Sequence, residues 1–186
     1  RIGEIEILKA LEMSGIRIFG IPVSPAFEKK YKLSIYIDEY AKGEKVNSIP
    51  LLNESNTYLY YLGDSMPPYF DYISKLTFYA KEDDTIQTLK LDYYGITTGG
   101  VQLTTIKMEG WRRPEIQRYR WRAYSKADWK LNEEVPLLVY ASAWYDEQYK
   151  IFRFCAALDL SDSEEKTKEL YDRSPHYYVV RMKVSE

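Results

Sequence analysis

The sequence predicts an all-β fold, an antiparallel two-sheet β-sandwich of about eight strands with one or two short helices. Three observations carry this. The 186 residues include 19 tyrosines, and aromatic and β-branched residues favour strands. Apolar and polar residues alternate with a period of two in several segments. Turn-forming residues recur at short intervals between those segments, as in sandwiches and barrels.

The elements follow in chain order. "EIEILKALEM" near the N-terminus fits a helix or a strand. "YKLSIYIDEY" places Leu33, Ile35 and Ile37 on one face and Lys32, Ser34 and Asp38 on the other. "KLTFYAK" alternates in the same way, and "TIQTLKLDYY" continues after the acidic turn "KEDD". Gly99 and Gly100 stand between two strand-like runs, where a hairpin turn requires positive φ. "VPLLVYASAW" and "YKIFRFCAAL" flank a turn at "YDEQ", and "YYVVRMKV" aligns Val180, Met182 and Val184. "SDSEEKTKELYD" reads as a helix, with Ser161 and Glu164 in capping-box spacing. "SKADWKL" is a second helical candidate. No repeat, linker or composition shift divides residues 1–186, which read as a single domain.

Composition excludes several classes of function. With 45% apolar residues and a formal net charge of −2, the chain is neither disordered nor drawn as a whole to polyanions. No segment approaches the roughly 20 apolar residues of a membrane span. A single histidine, His176, and a single cysteine, Cys155, exclude multi-His and Cys-based metal sites and an intrachain disulfide. Cys155 sits among apolar neighbours and reads as a small buried hydrophobe. Phosphate-cradling glycine motifs are absent, so no cofactor is expected.

Charge is nevertheless uneven. Residues 110–131 hold seven basic and two acidic residues, a local +5 that leaves −7 elsewhere. In "QRYRWRAY", Tyr119, Trp121 and Ala123 share one face, and Arg118, Arg120 and Arg122 share the other. This predicts a strand with an aromatic core face and a cationic outer face, its arginines paired by Asp38 or Asp92 from a neighbouring strand. Left unpaired, they form an anion site with Arg112 and Arg113. Trp121 and Trp144 fall in strand patterns and read as core. Trp111 and Trp129 flank the basic strand and are surface candidates for stacking on sugar rings. Tyr69 and Phe70, in "GDSMPPYFDYISK", give a stiff loop an aromatic lip.

The preferred function is a non-catalytic binding or interaction domain with carbohydrate, or another protein, as partner. It uses Tyr69, Phe70, Trp111, Trp129 and the arginine cluster. The alternative is a polyanion or nucleic-acid binder through Arg112, Arg113, Arg118, Arg120 and Arg122, with steep salt dependence; in the preferred reading nucleic acid is not the expected partner. A further alternative starts from Gly63-Asp64-Ser65 in "YLYYLGDSM", which resembles the nucleophile block of GDSL-type esterases. That resemblance implies a triad of Ser65, Asp172 and His176. The Asp–His spacing is one residue longer than in that family, and its α/β/α architecture needs helices this chain lacks.

The tyrosine-dense strands ("YLYYL", "DYYG", "HYYVV"), the solitary Cys155 and the opening on Arg1 give the chain a further likeness. In general style it resembles uncharacterised extracytoplasmic β-proteins of gut Bacteroidetes. That resemblance implies a cleaved leader and a secreted, periplasmic or cell-surface location. It carries over no functional residues.

Overall fold

The computed structural model describes residues 2–23, 31–53, 58–59, 73–83, 86–93, 96–106, 119–125, 127–154, 159–161 and 165–186. Among these the elements run α1 (Glu4–Met13), β1 (Ile16–Pro22), β2 (Tyr31–Ala41), β3 (Glu44–Leu52), β4 (Tyr58–Leu59), β5 (Lys75–Asp83), β6 (Ile86–Tyr93), β7 (Ile96–Thr97) and β8 (Val101–Thr104). They continue β9 (Tyr119–Tyr124), β10 (Glu134–Ser142), β11 (Trp144–Asp146), β12 (Ile151–Arg153), β13 (Asp159–Leu160), α2 (Glu165–Arg173) and β14 (His176–Ser185). Eight of the strands have six or more residues; of the shorter ones, β4, β7, β8 and β13 pair with these, and β11 and β12 pair with each other. No described helix is long and apolar enough to cross a membrane.

The architecture is all-β and sandwich-like. A five-stranded sheet is ordered β1-β5-β6-β7, with β8 also on β6. A seven-stranded sheet is ordered β13-β9-β10-β14-β2-β3, with β4 also on β2, and β11–β12 form a separate ribbon. One apolar cluster joins the inner faces. The small sheet supplies Leu76, Phe78, Leu89, Leu91 and Leu103, and the large one Leu33, Ile35, Ile37, Trp121, Val180 and Met182. Each fully buried Leu, Ile or Phe stabilises the fold by about 1.5–3 kcal/mol relative to exposure. A bulge between Pro136 and Leu138 buries both Leu137 and Leu138.

The large sheet is covered on its outer face too. There Tyr124, Val139, Ala141, Tyr177 and Val179 pack with Leu170 of α2. This explains why "LLVYAS" and "YYVV" are apolar at consecutive positions: both faces of β10 and β14 are buried there.

Two local expectations are corrected and a third holds. "SKADWKL" is not helical: Ala127 is fully buried, its N–H donates to Pro22 O (3.3 Å), and Leu131 bridges Val184. Tertiary pairing overrides its helical pattern. Gly99 and Gly100 do not turn a hairpin, because β7 and β8 run in succession along the same edge of β6. Neither glycine has positive φ; a Cβ at Gly100 would stand 2.9 Å from Thr88 Cγ2, so close packing is what needs glycine there. The "YDEQ" hairpin does form, as β11 against β12, with Asp146 accepting from the N–H groups of Gln148 and Tyr149.

Positive φ is needed instead at Lys42 (52°) and Gly43 (81°), the central pair of the β2–β3 turn. Gly43→Ala is expected to cost about 1 kcal/mol in chemical denaturation, because an L side chain is strained in that region.

Candidate functional site

Of the residues singled out from the sequence, Ser65, Tyr69, Phe70, Trp111, Arg112, Arg113, Arg118 and Cys155 lie outside the described residues, as does Glu164 of the capping box. The flanks of their segments are placed. Segment 107–118 begins after Ile106 and ends before Tyr119, and the Ile106 N–H donates to the Tyr119 hydroxyl (3.1 Å). Segment 60–72 follows β4, which pairs with Tyr31 and Lys32 at the start of β2. Tyr119 lies instead against His176, which pairs with Ala41 at the far end of β2. The two segments are therefore anchored at opposite ends of the sandwich. Trp129 belongs to the Tyr31 end; it is half-buried, with its ring 5.4 Å from Tyr31 edge-on.

As the alternation predicts, Tyr119 and Trp121 face the core and Arg120 and Arg122 the outer side of the large sheet. Arg120 and Arg122 stand opposite Ala141 and Val139 on β10, beside the cluster beneath α2. Arg120 is exposed and places its guanidinium 4.5 Å from the Phe154 ring centre. Arg122 is half-buried, and its Nη1 donates to Trp121 O (2.8 Å). The expected acids are elsewhere. Asp38, three strands away, is buried between Lys45 (2.7 Å) and Arg181 (3.3 Å) and accepts from Ser48 Oγ (2.8 Å). Asp92 lies on β6 of the other sheet, where Thr97 Oγ1 donates to it. Trp121 and Trp144 are core, as read from the sequence.

His176 is engaged away from Asp172. It is buried, with Nδ1 2.7 Å from the Tyr119 hydroxyl and Nε2 3.0 Å from Glu39 Oε1. Tyr178 also donates to Glu39 Oε1 (3.1 Å). With a neutral imidazole beside an ionised Glu39 the bonds run in one direction: Ile106 N–H to Tyr119, Tyr119 O–H to Nδ1, Nε2–H to Glu39. Burial raises the Tyr119 pKa, which keeps its proton available for donation. Both ring nitrogens are occupied, and Asp172, exposed on α2, makes no hydrogen bond to His176.

The His176 backbone shapes a different feature on the outer face. The Ser142 hydroxyl accepts from the His176 N–H (3.3 Å) and is hydrogen-bonded to the Ser174 hydroxyl (3.1 Å). Ser174 Oγ also lies 3.1 Å from both Ser142 O and His176 O. This buried pair pins the connection from α2 to β14. Pro175 O then accepts from Lys42 N–H (2.8 Å), which ties the β2–β3 turn to the same connection.

Between these parts lies an open cleft of about 460 Å³, walled by Tyr171 and Tyr177 and rimmed by Lys42, Asp172, Arg173 and Pro175. Tyr177 stacks on its cross-strand partner Tyr40 (4.8 Å, 10° between planes), and Tyr171 leans on Tyr177 (5.3 Å). The Tyr171 hydroxyl lies 3.0 Å from that of Tyr124. Burial, then the neighbouring Tyr40 and Tyr171, push the Tyr177 hydroxyl up to about 12. Arg173 closes α2 at its C-terminus and pairs with Glu169 (3.4 Å). The arrangement sets the half-buried Tyr171 ring, backed by the buried Tyr177, beside one carboxylate and two cations in one open cleft. None of these was singled out as a binding residue from the sequence. The signal present was the Tyr-Tyr pair in "HYYVV", which only matters once Tyr40 and α2 are known to meet it.

No curated protein and no solved structure matches the chain significantly. A family model does match, over residues 2–186, and on that match the chain belongs to the DUF5041 family, a domain of unknown function.

Proposed function

We propose that the chain is a non-catalytic extracytoplasmic binding domain for carbohydrate, with the cleft between α2 and the β2–β3 turn as its site. The observation that carries this reading is the tyrosine wall, Tyr171 on Tyr177, facing Lys42, Asp172 and Arg173. The Tyr171 ring, backed by the buried Tyr177, covers the apolar C–H side of a pyranose ring, and the charged rim hydrogen-bonds its hydroxyls. The volume suits a mono- or disaccharide, and the walls are held by buried hydrogen bonds rather than assembled on binding.

The test is thermal shift followed by calorimetry against soluble neutral polysaccharides, at low and moderate salt. A ligand at a hundred times its dissociation constant stabilises the fold by about 2.7 kcal/mol. Tyr171→Ala is expected to weaken binding at least tenfold, about 1.4 kcal/mol. Asp172→Asn, an exposed change with no folding cost, is expected to weaken it less. A polyanion hit that disappears with salt would instead place binding on the arginines of 112–122. A glycan whose binding is lost in Trp111→Ala or Tyr69→Ala but kept in Tyr171→Ala would move the site to those segments. Silence across the panel overturns the carbohydrate reading.

A further inference from the structure

From the free edge of β1 we infer a second interaction surface, independent of the cleft: two copies of the chain pair through β1, antiparallel, about a twofold axis at Ile18.

Among the described residues β1 is an edge strand, paired with β5 alone. Its register against β5, with Glu82 N–H bonded to Gly15 O and Val23 N–H to Ser74 O, points the odd-numbered backbone groups at β5. The N–H and C=O groups of Ile16, Ile18 and Gly20 therefore point away, and none has a backbone partner among the described residues. The free run stops at Pro22, which has no N–H and whose carbonyl is taken by Ala127.

These three residues are self-complementary. A twofold at Ile18 sets Ile16 opposite Gly20 of the other copy, Ile18 opposite Ile18, and Gly20 opposite Ile16. All three are hydrogen-bonded positions, so every free group on both edges is satisfied at once, and two five-stranded sheets become one.

The surroundings fit the same partner. Helix α1 has no buried residue, and ten residues are too few for a helix to be stable alone in water. Its Leu8 and Leu11 flank β1 over an open groove of about 220 Å³ lined also by Ile16, Ile18 and Phe19 and by the Glu12–Arg17 ion pair. Leu8 is 56% exposed and Ile18 42%. In the twofold pairing, Gly20 of the other copy stands beside this groove and leaves room for α1. Charge agrees as well. α1 carries Glu4, Glu6 and Glu12 against one lysine, and Lys75 lies over Gly20, on the part of the other copy that α1 would meet.

The test is analytical ultracentrifugation of the chain with three variants. The wild type is expected to sediment at twice the chain mass. Ile18→Lys, a charge placed at the centre of the edge, is expected to be monomeric with an unchanged circular dichroism spectrum. In a Cys155→Ala background, Ile18→Cys is expected to form a covalent dimer on mild oxidation. Hydrogen-bonded antiparallel partners sit at a Cα separation of about 5.5 Å, within disulfide range. Ile16→Cys, facing Gly20, is not expected to cross-link. A monomeric wild type, a dimer that survives Ile18→Lys, or equal cross-linking at 16 and 18 overturns the proposal, including in favour of a strand from a different protein.

Discussion

Replacing His176 with leucine is expected to destabilise the fold by about 3 kcal/mol and to lower the melting temperature by roughly 6–12 °C. Leucine roughly fills the volume, so the loss is one of polar partners rather than of packing. Two groups are left without their bond: the Tyr119 hydroxyl, buried under the sandwich end, and the Glu39 carboxylate, whose side chain is 19% exposed. A buried donor or acceptor without a partner costs about 1–3 kcal/mol, and more where it is charged. Glu39 keeps Tyr178, which limits its share. Thermal melts of His176→Leu, Tyr119→Phe and the double variant check the argument. Tyr119→Phe should cost clearly less in the leucine background, because its partner is already gone. Equal costs in both backgrounds would mean that the 2.7 Å contact contributes nothing, and that the network does not hold this end together.

Alkaline unfolding is the second large effect. Burial raises the pKa of Tyr36, Tyr119, Tyr140, Tyr177 and Tyr178, and for Tyr177 the value is about 12 against an ordinary 10.0. Below 10 the hydroxyl is protonated in the folded and unfolded chains alike, and the contribution to stability is fully present. Above 10 the unfolded chain releases the proton first. Stability is therefore lost as pH rises through about 12. With five such groups, tyrosinate absorbance and loss of β-sheet dichroism are expected to change together, in one cooperative step, within that window. Tyr177→Phe removes one of the titrating groups and should move the step to higher pH. Absorbance rising fully while the dichroism persists would show that these hydroxyls ionise without unfolding, against their burial.

Much of the fold was legible. Period-two alternation placed Leu33, Ile35 and Ile37, and Val180, Met182 and Val184, on the inner faces where they are found, because a sheet buried against another sheet imposes that period on its sequence. Where the pattern failed, a neighbour distant in sequence had changed the requirement. Gly99 and Gly100 looked like turn residues, yet β6 pairs with both flanking strands and no turn is made. "SKADWKL" was a helical candidate, yet Ala127 is drawn into a bridge with Val23. The Arg120–Arg122 row does face outward, yet the acids expected opposite it, Asp38 and Asp92, lie on strands it does not touch.

The candidate cleft was not legible, for the same reason. Its tyrosines come from β14 and α2, backed by Tyr40 of β2, and no spacing within a single strand announces that they converge. Composition and alternation are local quantities. By itself the sequence determined the strands, the sparing use of helix, the tryptophans of the core and the lack of histidine and cysteine for metal sites. Tertiary structure alone decided which faces are covered twice, which charges meet and which strand edge is left open. Those outcomes depend on contacts between residues more than a hundred positions apart, such as His176 with Glu39, and on the hydrogen-bond register that brings them together.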